Sequence, residues 1–301
     1  MTEPVSSFQN HDVHQEITDQ IVAAIEAGAG NCEMPWHREV GSVLPTNALT
    51  GNSYNGVNVI ALWGNAELRG YGSGVWATYK QWKLLEAQVR EGEKGSVVVF
   101  YKRTEREIVA EESGETERKT LLFARASYVF NADQVDGWCA VKPLVIPNPA
   151  KVLEHAEAFV AATGALIQHG GDRAYYKGST DHIQMPPRDQ FTGTETCTPT
   201  EGYYATLFHE LTHWTGHKKR LDRKFCVGFA KETIAMEELV AELGAAFLCC
   251  ELAVTNVPRL DHAAYVQNWL EVLKNDKRAI FTAAGSASKA KNFLMAFEAS
   301  R

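Results

Sequence analysis

The chain reads as an α+β protein of two domains: an N-terminal mixed α/β domain over residues 1–145, and a C-terminal domain over 146–301 built around a helix with metal-ligand spacing. Three observations predict this. The 301 residues, 45% hydrophobic, are enough for two ordinary cores of about 150 residues each. The first half contains a β-branched strand and its return, joined by a polar turn. Between the halves, "VKPLVIPNPAK" places Pro143, Pro147 and Pro149 close together, which fits a stiff connector and sets the boundary near residue 145.

The elements follow in order. In "HQEITDQIVAAIEAGAG" the apolar residues Ile17, Ile21, Val22 and Ile25 share one face before a glycine stop, so an amphipathic helix is expected. The stretch "LPTNALTGNSYNGVNVIALWG" is Asn- and Gly-rich, and "TGNSYNG" within it is loop chemistry. "TYKQWKLLEAQV" reads as a further helix. "GEKGSVVVFYKRTER" then switches to a turn and a strand, "ESGETERK" supplies a hairpin turn, and "TLLFARASYVFNADQV" returns. Beyond the prolines, "AKVLEHAEAFVAATGA" is helical and "DRAYYKGSTDHIQMPPRDQF" is a hairpin of two short strands. The motif helix and a long helix, "KETIAMEELVAELGAAFLCCELA", come next.

Composition narrows the function. The 30 basic and 37 acidic side chains leave a formal charge of −7, neither a polycation nor enough negative charge for an acidic DNA mimic. The polar N-terminus has no apolar core of a secretory signal, and no apolar run approaches the roughly 18 residues of a membrane span. Cys32, Cys139, Cys197, Cys226, Cys249 and Cys250 form no CxxC pair. Free thiols in a reducing cytoplasm, with no membrane partner, are the expectation.

The stretch "YYATLFHELTHWTGHKKRL" carries His-Glu-x-x-His. His209 and His213, four residues apart, lie on one helix face and can share one tetrahedral ion. Glu210 between them points at the open coordination position, where it can take a proton from bound water. A surface helix with two solvated histidines is the alternative. Against it stand the apolar neighbours Tyr203, Tyr204, Leu207, Phe208 and Trp214, the stop at Gly216, and a second apolar helix bearing carboxylates, "MEELVAELGA". Glu238 and Glu242 share a face of that helix. One can bind metal while the other accepts the spare N–H of a histidine ligand. Two imidazoles and a carboxylate suit one zinc ion per chain, with manganese or another divalent metal able to replace it.

This pairing resembles the zincin metallopeptidases of the glutamate-ligand type. The resemblance implies Glu238 as third ligand and Glu242 as support for a histidine, with Glu237 and then Glu242 as rivals for the ligand role. The class requiring a third histidine after Gly216 does not fit, because its position falls on Lys219. His217 is read as a helix-end or supporting histidine, with a substrate or oxyanion role as the alternative. The hairpin "AYYKGSTDHIQMPP" sits where zincins place a substrate-pairing edge strand; a plain surface hairpin is the competing reading.

Up to residue 145 the chain holds 13 basic and 19 acidic residues, a net of −6, so no whole-domain footprint for nucleic acid exists. Residues 69–103 nonetheless carry a net of +4, interleaved with Tyr71, Trp76, Tyr79, Trp82, Phe100 and Tyr101. Cations that track phosphates and rings that stack on bases are what single-strand binding requires. Lys80, Trp82 and Lys83, and Tyr101, Lys102 and Arg103, are the candidate contacts. Ordinary packing with solvated lysines explains the same residues.

"YNGVNVIALW", "WATYKQWK", "VREGEKGSVVVFYKR" and "FNADQVDG" in this order resemble the N-terminal domain of the ArdC antirestriction family, also found in plasmid-borne primases. The motif helix and "EELVAELGAAFL" match the second part of that family. The resemblance implies a single-stranded-DNA-binding domain before a zincin-like metallopeptidase domain. It also implies protection of incoming plasmid DNA from host restriction during conjugation, with a protein substrate for the second domain left open. A cytosolic metallopeptidase whose first half selects protein substrates is the alternative.

Overall fold

The computed structural model describes residues 12–28, 44–109, 116–139, 149–193, 197–224, 231–254 and 263–299. The expected boundary near residue 145 lies outside them. Helix α1 (Val13–Gly28) ends at the expected glycine. It buries Ile17, Ile21 and Ile25 against α2 (Val57–Arg69).

Helix α2 is missing from the sequence expectations, which named only a polar, Asn- and Gly-rich stretch there and read loop in "TGNSYNG" just before the helix. Gly56 starts it at φ +60°, and Gly70 closes it in the left-handed region. Its asparagines are structural. The Asn58 amide donates to Val99 O and accepts from Val99 N, both at 2.8 Å, replacing a missing strand along that edge. Asn65 donates to Ala61 O within the helix and to Gln20 Oε1 on α1. Low helix propensity is overridden by partners far away in sequence, Val99 for Asn58 and Gln20 for Asn65.

Strands β1 (Thr46–Asn47) and β2 (Val75–Ala77) join the long hairpin of β4 (Ser96–Val109) and β5 (Thr116–Asn131) in a sheet of order β1-β2-β5-β4. The hairpin agrees with the expectation. Helix α3 (Tyr79–Leu84) does not run through Val89 as expected. The Thr78–Gln81 capping box starts it, but Glu86 turns left-handed at φ +58°. Gln88–Val89 (β3) then pairs with β6 (Val135–Asp136).

The second half opens with α4 (Pro149–Thr163). A three-stranded sheet follows, order β7-β9-β8, from Leu166–His169, Tyr175–Lys177 and His182–Met185. The expected hairpin is β8–β9; β7 is the strand not foreseen, lying parallel to β9. Helices α5 (Pro199–Thr215), α6 (Lys231–Glu251), α7 (Ala263–Asn275) and α8 (Ala279–Ala299) complete the chain. Helix α6 is apolar nearly all round because it is buried on two sides. Leu239, Leu243 and Phe247 enter a core with α1, α2, β4, α7 and α8. Leu248 and Cys249 enter another with α4, β9 and α5. The first core joins side chains from both halves of the chain. Among the described residues no helix is long and apolar enough to cross a membrane.

The β8–β9 hairpin is pinned to α5 by Arg220, whose guanidinium lies 3.8 Å from the Trp214 ring centroid and donates to both Asp181 oxygens. Hydrogen bonding from Arg220 holds the Asp181 carboxyl down at about 2. A depressed carboxylate stabilises the fold above its unfolded pKa, near 4, and the contribution disappears as pH falls through about 2. Arg220→Gln should therefore lower hydrogen-exchange protection of the β8–β9 amides roughly tenfold at neutral pH. The wild type should show the same loosening only in acid.

Candidate metal centre

The motif helix is fixed before any ligand is considered. Thr198 caps α5 in a capping box with Glu201, Pro199 occupies its first turn, and Gly216 ends it as expected. Tyr203, Leu207, Phe208 and Leu211 anchor one side in the core. His209 and Glu210 are 4% and 3% exposed, which excludes the solvated-histidine alternative.

The Nε2 atoms of His209 and His213 stand 3.2 Å apart. The Glu238 carboxylate on α6 completes a triangle, with Oε2 at 3.5 Å from His209 Nε2 and Oε1 at 3.6 Å from His213 Nε2. Tetrahedral ligands with bonds of about 2.0–2.1 Å are about 3.3 Å from one another, so these three donors fit a divalent ion of zinc size. They form the one such cluster among the described residues.

The opposite ring nitrogens are also occupied. Glu242 Oε1 lies 2.8 Å from His209 Nδ1, and Glu237 Oε1 lies 3.0 Å from His213 Nδ1. A carboxylate at Nδ1 fixes the tautomer and leaves the Nε2 lone pair for metal. Glu242 thus stands in the supporting position the sequence suggested. Glu237, the expected rival for the ligand position, faces the wrong nitrogen. It is engaged further by Arg223, which donates Nε to Oε2 at 2.8 Å and Nη2 to Oε1 at 2.6 Å. The remaining Arg223 donors reach Thr215 Oγ1 and Thr212 O, tying Glu237 back to α5.

Sequence reasoning missed Arg223. In "HKKRLDRK" it looks like one more solvated cation, and only its burial at 8% exposure singles it out.

The electrostatics follow from this packing. Burial pushes the Glu237 carboxyl up, but Arg223 and His213 outweigh it and hold it at about 2. Glu238 is likewise held well below the usual carboxylate range, by the two imidazoles against burial. Burial disfavours the charged form of His213, yet Glu237 and Glu238 push it up to about 10. Such a concentration of negative charge is what a bound cation balances. His217 lies just past the helix end, its Nδ1 accepting from Lys219 N, in keeping with the helix-end reading.

Comparison with known proteins follows the same two-part division. Residues 11–130 match the family model for the N-terminal domain of anti-restriction factor ArdC, and residues 154–286 match that for a zincin-like metallopeptidase. The chain is also similar to the crystal structure of the antirestriction ArdC protein from plasmid R388, metal-free. The two share 42% identity at a TM-score of 0.77, over 96% of this chain and 98% of that one. The chain belongs to the ArdC antirestriction family. The Mn(II)-bound form of the R388 protein is similar at 41% identity and a TM-score of 0.75, over 96% and 98% of the two chains. An uncharacterised protein, y4eC, of Sinorhizobium fredii is 43% identical over 95% of this chain and 92% of its own length. The DNA primase TraC of Escherichia coli is 37% identical over 95% of this chain, which spans only 27% of that primase.

The candidate DNA contacts divide in this ArdC-family fold. Lys80 and Lys83 are exposed on α3. Trp82 between them must be corrected: it is fully buried, its Nε1 donating to Phe130 O, in a small core with Val89 and Val135. A ring without exposed surface has no face for a base. The neighbouring ring that is accessible is Tyr79, 44% exposed. Tyr79 and Trp82 are three residues apart on α3, and only the tertiary position of the helix reveals which ring is covered. Tyr101 is 46% exposed on β4. Lys102 and Arg103 follow it on the strand, and their side chains lie outside the described part of the structure.

Proposed function

We propose that this ArdC-family chain is a cytoplasmic plasmid antirestriction protein. Its N-terminal domain, residues 1–145, binds single-stranded DNA, and it protects incoming DNA from host restriction during conjugation. The observation that carries this reading is likeness along nearly the whole chain to the R388 antirestriction protein, with both domains in the same order. The exposed Lys80 and Lys83 beside Tyr79, and Tyr101 on β4, supply cations and rings of the kind that bind single strands without sequence preference.

The C-terminal domain in this reading holds one divalent ion on His209, His213 and Glu238, with Glu242 and Glu237 orienting the two imidazoles. Zinc suits the donor set, and manganese is supported by the Mn(II)-bound relative. When bound, such an ion acts as a Lewis acid toward water or a carbonyl oxygen. Glu210, beside His209, is the residue to accept a proton there and return it to a leaving amine.

A metallopeptidase with a protein substrate is the second reading, favoured by the complete His-Glu-x-x-His helix with Glu210 buried in it. Shielding DNA requires binding and no bond breaking, so protection should not depend on Glu210. Restriction protection is therefore compared for the wild type, Glu210→Ala, and the triple variant Tyr79→Ala, Lys80→Ala, Lys83→Ala. Glu210→Ala should protect as the wild type does. The triple variant should lose protection and bind single strands at least tenfold more weakly. Loss of protection in a folded, metal-replete, DNA-binding Glu210→Ala protein would make proteolysis the mechanism.

A further inference from the structure

A cavity of about 650 Å³ opens between β4 and α8, away from the metal centre, with walls from both halves of the chain. We infer that it holds one nucleotide of a bound single strand, with the base against its rings and the phosphate on Arg278. This rests on the single-strand-binding reading above and locates a contact for it.

The rings are set by their own contacts. The His14 ring lies 4.7 Å from that of Phe281 and 6.4 Å from that of Tyr101, and His14 Nε2 is 3.2 Å from the Tyr101 hydroxyl. Three rings of different polarity meet at one wall, and Tyr101 keeps nearly half its surface open. A base presents an apolar face and polar edges, so rings with polar atoms between them suit it.

The charge is equally selective. Although the chain is net negative, no Asp or Glu lines the cavity among the described residues. The cations preceding α8 are not equivalent. Lys274 pairs with Glu26, and Lys277 with Asp12. The Arg278 guanidinium, exposed at the cavity wall, has no carboxylate partner among the described residues. It is the cation left available for a phosphate, which a planar guanidinium binds in two-pronged fashion.

Open space is also maintained at a cost. Gly285 lies inside α8, where glycine weakens a helix. Helix packing does not require it, since a Cβ there would meet no atom within 4 Å. Its effect is to keep the wall bare. The volume falls in the range of small-ligand sites.

The test uses the full chain, a labelled oligothymidylate and a mononucleotide, dTMP. Arg278→Gln removes the phosphate contact, and Gly285→Phe fills the cavity without removing a contact. Both should weaken oligonucleotide binding about tenfold. Arg278→Gln should also reduce the dependence of log K on log salt by about 0.7, the share of one single-strand phosphate. Unaltered metal content and melting temperature would show that the variants are folded. Oligonucleotide binding by wild type that is unchanged in both variants overturns the cavity assignment and leaves the DNA-binding reading intact. A wild type that binds no oligonucleotide defeats that reading itself. Saturable dTMP binding abolished by Gly285→Phe would then assign the cavity to free nucleotide, and no dTMP binding would end both.

Discussion

Replacing Glu238 with alanine is expected to leave the purified protein without stoichiometric metal, where the wild type carries about one ion per chain. Glu238 is the carboxylate that faces both Nε2 atoms, at 3.5 and 3.6 Å. Its loss leaves two imidazoles, too few to hold zinc against competing chelators. His213→Ala should have the same effect. Glu237→Ala should differ in kind. Glu237 touches Nδ1 of His213 and not the shared donor point, so its removal weakens affinity, roughly 10- to 100-fold, without emptying the site at high metal. Glu210→Gln should keep full metal. Elemental analysis after dialysis, followed by chelator competition, separates these cases. Full metal in Glu238→Ala together with loss in Glu242→Ala would overturn the assignment of the third ligand.

The second large effect is expected from Gly244→Ala, a change that on an isolated helix would stabilise by about 1 kcal/mol. Here α5 and α6 touch at this glycine. A Cβ at position 244 would stand 2.5 Å from Thr212 Cγ2, 2.6 Å from its Oγ1 and 3.1 Å from its Cβ. Thr212 cannot swing aside: it is wholly buried, β-branched, and its hydroxyl donates to Phe208 O at 2.8 Å. The helices must separate instead. Overpacking of this kind costs about 1–3 kcal/mol, more than the gain in propensity. Separation also carries His209 and His213 away from Glu238, since the ligands are split between these two helices. Gly244→Ala should therefore lower both the denaturation midpoint and metal affinity. Thr212→Ala in the same chain removes the two closest atoms and should recover much of each loss, a coupling measurable by a double-mutant cycle. Independent, additive effects would show that the contact does not set the helix spacing.

The parts of this protein legible in its residues are those set by neighbours a few positions away. Hydrophobic period and a glycine stop located α1, the metal-ligand motif with Gly216 located α5, helical runs located α4 and α6, and β-branched runs about a polar turn located the β4–β5 hairpin. The four-residue spacing of His209 and His213 put both rings on one helix face, and the carboxylate helix that would meet them could be named. Other features depended on residues far apart in sequence. Helix α2 was hidden because Asn58 and Asn65 count against a helix until their buried partners are known. Trp82 and Tyr79 look alike as aromatic residues beside lysines, and only packing of α3 on β5 and β6 buries one and exposes the other. Spacing alone left Glu238 and Glu242 open as ligands, and the family resemblance that favoured Glu238 kept Glu237 as its rival. The relative rotation of α5 and α6 decides which oxygen faces Nε2 and which faces Nδ1. Arg223 joins Glu237 from a turn 14 residues away, and the cavity at Arg278 draws on α1, β4 and α8 together. Periodicity and capping are short-range properties that a sequence states directly. Burial, and the facing of one side chain by another, exist only once distant segments share a core.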